Sequence, residues 1–186
     1  MPHLIIYRAN LADLELVRQT GIETYTPYYP HVWKPGGMDW YMEHCFGRES
    51  LARELSDEHI EYYLPQTPER QIIGLLKIHP NRPLPHDADT TGLYVEKLYL
   101  MPAFFRKGMG QELLNVAEDM AKALHHNTIW LQVMQTGPVS AYTKAGYQIA
   151  QATRFEFDYL KEEERNGWVM VKQLPKPHVD TNESTT

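Results

Sequence analysis

A short basic stretch with two glycines is the part of this sequence whose residue types most directly predict chemistry. It lies between a predicted strand and a predicted helix, and the unpaired N–H groups of a helix start attract anions. Glycines let a backbone approach a ligand closely. The stretch consists of Arg106, Lys107, Gly108, Met109, Gly110 and Gln111. It predicts a site for a phosphate-bearing cofactor, and the alternative is a strand-to-helix turn with solvated basic residues.

Several other cofactor classes are excluded by spacing. A G-x-G-x-x-G fingerprint fails because Leu113 stands at the third glycine position, and Lys107 precedes the glycines instead of following them as in a P-loop. The histidines include the adjacent pair His125 and His126, but none has the spacing typical of zinc ligands. We therefore predict no metal.

A second candidate site is an aromatic segment near the N-terminus, with two acidic residues beside it. Aromatic faces and carboxylates together suit a cationic amine. The residues predicted to contact such a substrate are Tyr28, Tyr29, Trp33, Asp39 and Glu43. The alternative is that the aromatic side chains pack beneath a long connection. The sequence leaves both interpretations open.

The elements that must position these residues follow from the apolar pattern. Strands are predicted at 4–7, 59–64, 71–79, 95–101, 128–134, 147–150, 153–159 and 169–171. Helices are predicted after Asn10 and over 38–55, 113–124 and 138–145. The proline-rich segment 80–91 is predicted to be an exposed loop. Residues 1–174 are expected to form one domain, and 175–186 a disordered tail.

Composition narrows the class of protein further. The net charge of −6 argues against nucleic-acid binding and favours cationic small molecules. The single Cys45 cannot form an internal disulfide, which favours a reducing compartment, and we expect the cytoplasm. Cys45 itself is either a packed side chain or a reactive thiol. No apolar run approaches membrane-spanning length, so we expect no membrane partner.

Three stretches carry a resemblance to a known family: VEKLYLMPAFFRKGMGQELL, IWLQVM and SAYTKAGY. Together with the order of predicted elements, they resemble the GNAT superfamily of N-acetyltransferases, and within it the spermidine/spermine-type and related bacterial enzymes. The resemblance implies a single α/β domain. Its core would be a central mixed, mostly antiparallel sheet of about seven strands flanked by helices. It also implies acetyl-CoA as cosubstrate. Exposed strand edges and the aromatic segment could support a homodimer, as many relatives form.

The resemblance assigns the cofactor contacts residue by residue. Gly108 and Gly110 fill the glycine positions of the loop that holds the CoA pyrophosphate in the family, whereas Phe105 stands where Arg or Gln is expected. The strand backbone that would face the pantetheine arm belongs to Leu98, Tyr99 and Leu100. Further on, Tyr142, Lys144 and Gly146 match a second family motif, whereas Gln135 replaces its Asn. Lys144 is included among the predicted cofactor contacts.

Acetyl transfer to an amine needs a base, because an alkyl ammonium with a pKa of about 10.4 is almost fully protonated at pH 7. Glu96, an acid in an apolar strand, is the predicted base, directly or through water, and the resemblance supports this because an acid at the matching strand position serves as base in some family members. Lys97 is expected to point to the opposite face, which would leave Glu96 without a basic partner. The alternative for Glu96 is a solvated strand residue. Tyr142 matches the family position of the acid that protonates the leaving thiolate.

The expected reaction is direct acetyl transfer to a primary amine in a ternary complex, without a covalent enzyme intermediate. The predicted acceptor is a small cationic molecule such as a polyamine, and a peptide amino group is the competing substrate. A second class of function stays open. Because Phe105 and Gln135 depart from the family pattern, the chain could be a non-catalytic acyl-CoA-binding or interaction module of the same fold.

Overall fold

A computed structural model describes residues 4–175 and shows a single seven-stranded sheet with helices on both faces. The strands are β1 Ile5–Arg8, β2 Glu61–Gln66, β3 Gly74–Leu84, β4 Asp87–Leu100, β5 Thr128–Met134, β6 Gln148–Arg154 and β7 Asn166–Gln173. Their order is β1-β2-β3-β4-β5-β7-β6, and every neighbouring pair is antiparallel except β4 with β5. The predicted mixed, mostly antiparallel sheet is confirmed. The predicted tail lies outside the described residues apart from Pro175.

The helices are α1 Leu14–Tyr25, α2 Gly37–Phe46, α3 Arg48–Leu55, α4 Met109–Ala123 and α5 Val139–Lys144. Alternating side chains of β3 show how the helices cover the sheet. Leu75 packs in a core with residues of α1 and α3, whereas its neighbour Leu76 packs in a core with residues of α4. Because successive strand residues point to opposite faces, α1 and α3 lie on one side of the sheet and α4 on the other. Asn10 caps the start of the first helical segment, as predicted.

Three predicted elements differ from those in the structure. The helix predicted over 38–55 is broken at Gly47, where a Cβ would lie 2.3 Å from the backbone oxygen of Glu43. The predicted loop over 80–91 is instead a hairpin that extends β3 and β4, because Arg82 and Pro83 pair with Gly92 and Thr91. In place of the strands predicted at 147–150 and 153–159 there is one strand, β6, which ends at Arg154, and residues 155–159 form no strand.

The central strand β4 contains a bulge. Lys77 of β3 lies opposite Lys97, but the next residue of β3, Ile78, lies opposite Val95, so Glu96 is an extra residue in β4. A bulge interrupts the alternation of side chains across a strand. The bulge therefore determines which side chains lie beside Glu96.

Candidate active site

The predicted basic stretch forms a turn whose backbone N–H groups are free. Gly108 has a φ of 79° and caps the start of α4, a left-handed conformation that favours glycine. Across the part of the chain that the structure describes, none of the N–H groups of residues 106–111 donates to a protein acceptor. These donors stand at the start of a 15-residue helix, where its dipole favours negative charge.

Gly110 keeps this turn open. A Cβ built on Gly110 would meet only Cδ1 of Leu100, at 3.8 Å, which is an ordinary contact. The packing of the protein therefore does not require a glycine here. The bare backbone leaves space beside the free N–H groups, and the turn fits a pyrophosphate. Arg106 and Lys107 are both exposed beside it.

The parallel strands β4 and β5 separate next to this turn. They pair only from Leu93 opposite Ile129 to Val95 opposite Leu131. Beyond that point β4 continues to Leu100 and β5 continues to Met134 without pairing with each other. The backbone of the two strands borders an opening in the sheet, into which an extended ligand could hydrogen-bond.

A cavity of about 370 Å³ lies at this opening. Residues of β4 and β5 form its floor, and the predicted aromatic segment forms one wall, with Tyr29 and Trp33 lining it. Tyr25 and Tyr41 complete that wall, and Tyr25 stacks on Tyr29 with ring centroids 4.4 Å apart. The aromatic segment therefore both packs as a cluster and borders a cavity.

The other predicted substrate residues lie elsewhere. Asp39 and Glu43 are exposed on α2 and do not line the cavity. Tyr28 packs against Phe105, with ring centroids 4.6 Å apart. Phe105, which replaces the polar residue of the loop pattern, thus joins the aromatic segment to the basic turn.

Glu96 lines the cavity and is surrounded by three basic side chains. Its Oε1 lies 2.8 Å from Nζ of Lys77 and also contacts Nζ of Lys97, and its Oε2 lies 2.6 Å from Nε2 of His79. The expectation that Glu96 has no basic partner was wrong. The bulge at Glu96 interrupts the regular alternation that would have sent Lys97 to the opposite face.

These contacts fix the ionisation of Glu96. Burial alone would raise the pKa of its carboxyl, but the hydrogen bond from His79 and the charges of Lys97 and Lys77 outweigh burial and hold the pKa far below its ordinary value. Conversely, burial would lower the pKa of Lys97, but the adjacent Glu96 raises it. Because the ionised carboxylate can only accept, Nε2–H of His79 donates this hydrogen bond to Oε2 of Glu96.

The cluster continues away from the cavity. Nζ of Lys77 also lies 2.9 Å from Oε1 of Glu54, whose other oxygen contacts the hydroxyl of Tyr62. The side chain of Lys77 is only 3% exposed, so it needs both carboxylates. Two lysines and two glutamates thus bring two positive and two negative charges together in this cluster.

Tyr142 lines the same cavity as Glu96, from α5. Burial raises the pKa of its hydroxyl to about 12, so it stays protonated at neutral pH. Lys144, on the same helix, is exposed, as is Gln135. Tyr99 also lines the cavity, and its hydroxyl lies 3.4 Å from that of Tyr41.

Several residues of the site were not predicted from the sequence. Lys77 and His79 lie in a predicted strand, and Arg82, which lines the cavity, lies in the predicted loop. A charged residue within the apolar run GLLKIH was the available signal for Lys77, because a buried lysine requires a carboxylate partner. Cys45 packs among apolar residues, and burial raises the pKa of its thiol, which favours the packed interpretation.

Residues 4–175 contain neither a cluster of metal ligands nor a membrane-spanning helix. That part of the chain has no group of three His, Cys, Asp or Glu side chains arranged to hold a metal ion. Its helices include none with the length and apolar character needed to cross a membrane.

Comparison with known proteins relates this geometry to a family. The family described as "Acetyltransferase (GNAT) family" matches residues 20–147, more than half of the chain. An uncharacterized N-acetyltransferase in the pepI 3'region of Lactobacillus delbrueckii subsp. lactis is 23% identical over 113 residues, which are 61% of this chain. The chain spans 65% of the length of that relative.

Solved structures share the whole fold. The PaiA N-acetyltransferase from Thermoplasma acidophilum, solved in complex with coenzyme A, superposes with a TM-score of 0.69 at 19% identity, covering 92% of this chain and 99% of that one. The spermidine/spermine N-acetyltransferase SpeG from Vibrio cholerae superposes with a TM-score of 0.60 at 17% identity, covering 91% and 92%. At these identities the likeness is one of fold.

Proposed function

The chain belongs to the GNAT family of acetyltransferases, whose cosubstrate is acetyl-CoA, and we propose that it acetylates the primary amine of a small molecule. One observation carries the proposal. The opening between β4 and β5 joins a turn with free N–H groups to an aromatic cavity that holds Glu96 and Tyr142. A cofactor's phosphates and its acyl end would thus be bound at the two ends of one continuous site.

The cofactor would be held mainly by backbone. The N–H groups of residues 106–111 would bind the pyrophosphate, with Arg106 and Lys107 adding charge. Leu98, Tyr99 and Leu100 pair with β3 on one side, and the other edge of this part of β4, which β5 leaves unpaired, would hydrogen-bond the pantetheine arm. Backbone N–H groups at this opening would also stabilise negative charge that develops on the carbonyl oxygen. Lys144 is exposed on α5, where it could reach a phosphate.

Proton removal from the ammonium involves Glu96, although not as the final acceptor. A carboxylate whose pKa is held so low is a weak base, but it binds an ammonium or an ordered water well. We propose that the proton passes through ordered water to the Glu96–His79 pair, in which Glu96 holds His79 in position. Overall, one C–N bond forms and the thioester C–S bond breaks. The ammonium gives up two protons, one to solvent through this route and one to the sulfur.

Tyr142 is proposed as the donor to the leaving sulfur. Its hydroxyl stays protonated because burial raises its pKa to about 12, so it can donate a hydrogen bond as negative charge develops on sulfur. Transfer is direct, since both the amine and the thioester would occupy one cavity with Glu96 and Tyr142 on its walls.

A polyamine is the acceptor that the sequence predicts. SpeG of Vibrio cholerae is named as a spermidine/spermine enzyme, and the aromatic wall would suit a cation. The acidic residues expected to bind further positive charges, Asp39 and Glu43, are exposed outside the cavity, however. A small monoamine is therefore the better-supported acceptor, and a peptide amino group is the competing one.

Thiol release from acetyl-CoA tests the proposal, measured across polyamines, aminoglycosides, amino acids and short peptides. Release with one amine class supports the transferase and names its acceptor. The alternative is a non-catalytic acyl-CoA-binding module, for which Phe105 is the specific observation, since it packs on Tyr28 instead of offering a polar contact. A melting temperature raised by acetyl-CoA without thiol release for any amine would favour that alternative.

A further inference from the structure

The charges that line the cavity leave one cation without a partner. Arg82, Glu96 and Lys97 are the charged side chains on its walls. Glu96 contacts Lys97 and Lys77, and Lys77 also contacts Glu54. No ion pair among residues 4–175 includes Arg82. The cavity therefore presents Arg82 as a positive charge without an ion-pair partner, and its one carboxylate, Glu96, already contacts two lysines.

Arg82 is held in position by aromatic rings. Its guanidinium carbon lies 4.6 Å from the ring centroid of Tyr94 and 5.9 Å from that of Trp130. These two rings stack with centroids 4.1 Å apart, and the indole N–H of Trp130 donates to the backbone oxygen of Arg82. A guanidinium that lies over an aromatic face keeps its N–H edge free for a planar anion.

Arg82 lies in the same cavity that is proposed for acetyl transfer. It lies in the β3–β4 hairpin, exposed at the rim of the cavity, while Tyr94 beneath it lines the wall. Tyr94 also packs against His79, with ring centroids 5.4 Å apart. The ring of Tyr94 thus contacts both the guanidinium of Arg82 and the ring of His79. Arg82 lies on the solvent side of Tyr94, and the Glu96–His79 pair of the proposed proton route lies on its other side.

From this arrangement we propose that the acceptor is an amine that also carries a carboxylate, and that Arg82 binds that carboxylate. The inference rests on the proposed acetyltransferase function and names the substrate class of the same site. A guanidinium binds a carboxylate through two parallel hydrogen bonds, which fixes orientation as well as affinity. Each further ammonium of a polycation would instead be repelled by Arg82, and Glu96, which already contacts two lysines, is the one carboxylate on the cavity wall that could offset this repulsion. The aromatic walls at Tyr25, Tyr29 and Trp33 favour an apolar body between the two groups.

Matched pairs of amines that differ only by the carboxylate test the inference. L-Phenylalanine is compared with phenethylamine, and L-ornithine with putrescine, by kcat/KM for thiol release from acetyl-CoA. We expect the carboxylate-bearing member of a pair to be favoured by roughly 10- to 100-fold, the range of a charge-assisted hydrogen bond. Arg82→Gln should abolish that preference, and Arg82→Lys should keep part of it. Arg154→Gln, which changes an exposed arginine of β6 outside the cavity, should leave it intact.

Preference for phenethylamine or putrescine, or an equal loss for both members of a pair in Arg82→Gln, would overturn the inference while leaving the transferase standing. A binding measurement decides the inference even without turnover. We expect N-acetyl-L-phenylalanine to raise the melting temperature of the CoA-loaded protein more than N-acetylphenethylamine does, with the difference lost in Arg82→Gln. Equal shifts for the two compounds would overturn it.

Discussion

Nε2 of His79 lies 2.6 Å from Oε2 of Glu96, across the two central antiparallel strands β3 and β4. Their contact exists because β4 bulges at Glu96, which brings an acid, a histidine and two lysines together at the edge of an aromatic cavity. A carboxylate held in this way is a poor proton acceptor but a strong anchor for its histidine. The proposed base is thus a pair of residues, with His79 as the group that exchanges the proton.

Replacement of His79 tests its role in proton removal. We expect His79→Asn to lower kcat/KM for the amine by about 10²- to 10⁴-fold, the usual range for general acid–base catalysis. The loss should be largest at low pH, where less of the amine is already neutral. Binding of acetyl-CoA should be unchanged. The matched control is His59→Asn, since the His59 side chain is 77% exposed, and a pH–rate profile that His79→Asn leaves unchanged would contradict the role.

Glu96 should control stability as well as activity. Glu96→Gln would leave Lys77 and Lys97 short of a counter-charge, so the free energy of unfolding should fall. The decrease should approach about 3–5 kcal/mol, which is typical of a broken buried ion pair. Urea denaturation at pH 7 measures this change. Glu15→Gln, which removes an exposed partner of Arg48, should have little effect. An equally stable Glu96→Gln protein would show that the cluster does not stabilise the fold.

The lowered pKa of the Glu96 carboxyl also predicts that the stability of the fold depends on pH. Its pKa is depressed in the folded state, so its stabilisation is complete above the unfolded pKa of about 4.3 and is lost as pH falls. The wild type should therefore lose stability from about pH 5 downward, and Glu96→Gln should lose less over the same range. Denaturation midpoints between pH 7 and pH 3.5 measure the two slopes. Parallel slopes would rule out Glu96 as a main source of acid sensitivity.

Tyr142→Phe tests donation to the leaving sulfur. We expect kcat to fall by about 10²-fold or more near pH 7. Because burial raises the pKa of Tyr142 to about 12, this tyrosine should cause no loss of wild-type activity up to pH 10. The defect should shrink above about pH 8.5, where a thiolate needs less help to leave. Tyr159→Phe, at a tyrosine that is 40% exposed, serves as the control, and a defect of the same size in both variants would argue against the role.

Gly110 offers a test of the cofactor turn that separates binding from folding. Gly110→Ala should leave stability unchanged or raise it by up to about 1 kcal/mol, because alanine favours a helix and its Cβ meets only Leu100. Gly110→Leu should weaken CoA binding by roughly tenfold or more, corresponding to about 1.4 kcal/mol, because its side chain would fill the open space beside the N–H groups. Calorimetric titration with CoA measures this loss. Asn115→Leu, on an exposed position of the same helix, should bind CoA normally.

The sequence predicted what depends on neighbours along the chain. The strand at Thr128–Met134, the capped helix after Asn10 and the glycine turn at Gly108 all follow from local spacing and backbone preference, and all three are present. The partners of Glu96 depend instead on register. A one-residue bulge in β4 sets that register, and apolar alternation carries no signal for it.

Arg82 was missed for a related reason. Proline and polar residues in 80–91 indicated a loop, whereas β3 and β4 pair along most of that segment and form a hairpin. A hairpin's pairing comes from backbone hydrogen bonds between two segments, which composition alone does not encode. Asp39 and Glu43 were grouped with the aromatic residues by proximity in sequence, but α2 presents them to solvent.

The most direct test is a stoichiometric assay with acetyl-CoA labelled with ¹³C in the acetyl group. Free CoA thiol and labelled N-acetyl product are quantified together, with and without the amine found active in the panel. We predict equal amounts of thiol and acetylated amine, and no thiol release when the amine is omitted. Acetyl-CoA that binds and remains intact with every amine would contradict the transferase and leave an acyl-CoA-binding protein. Thiol released together with acetylated protein in the absence of amine would contradict direct transfer.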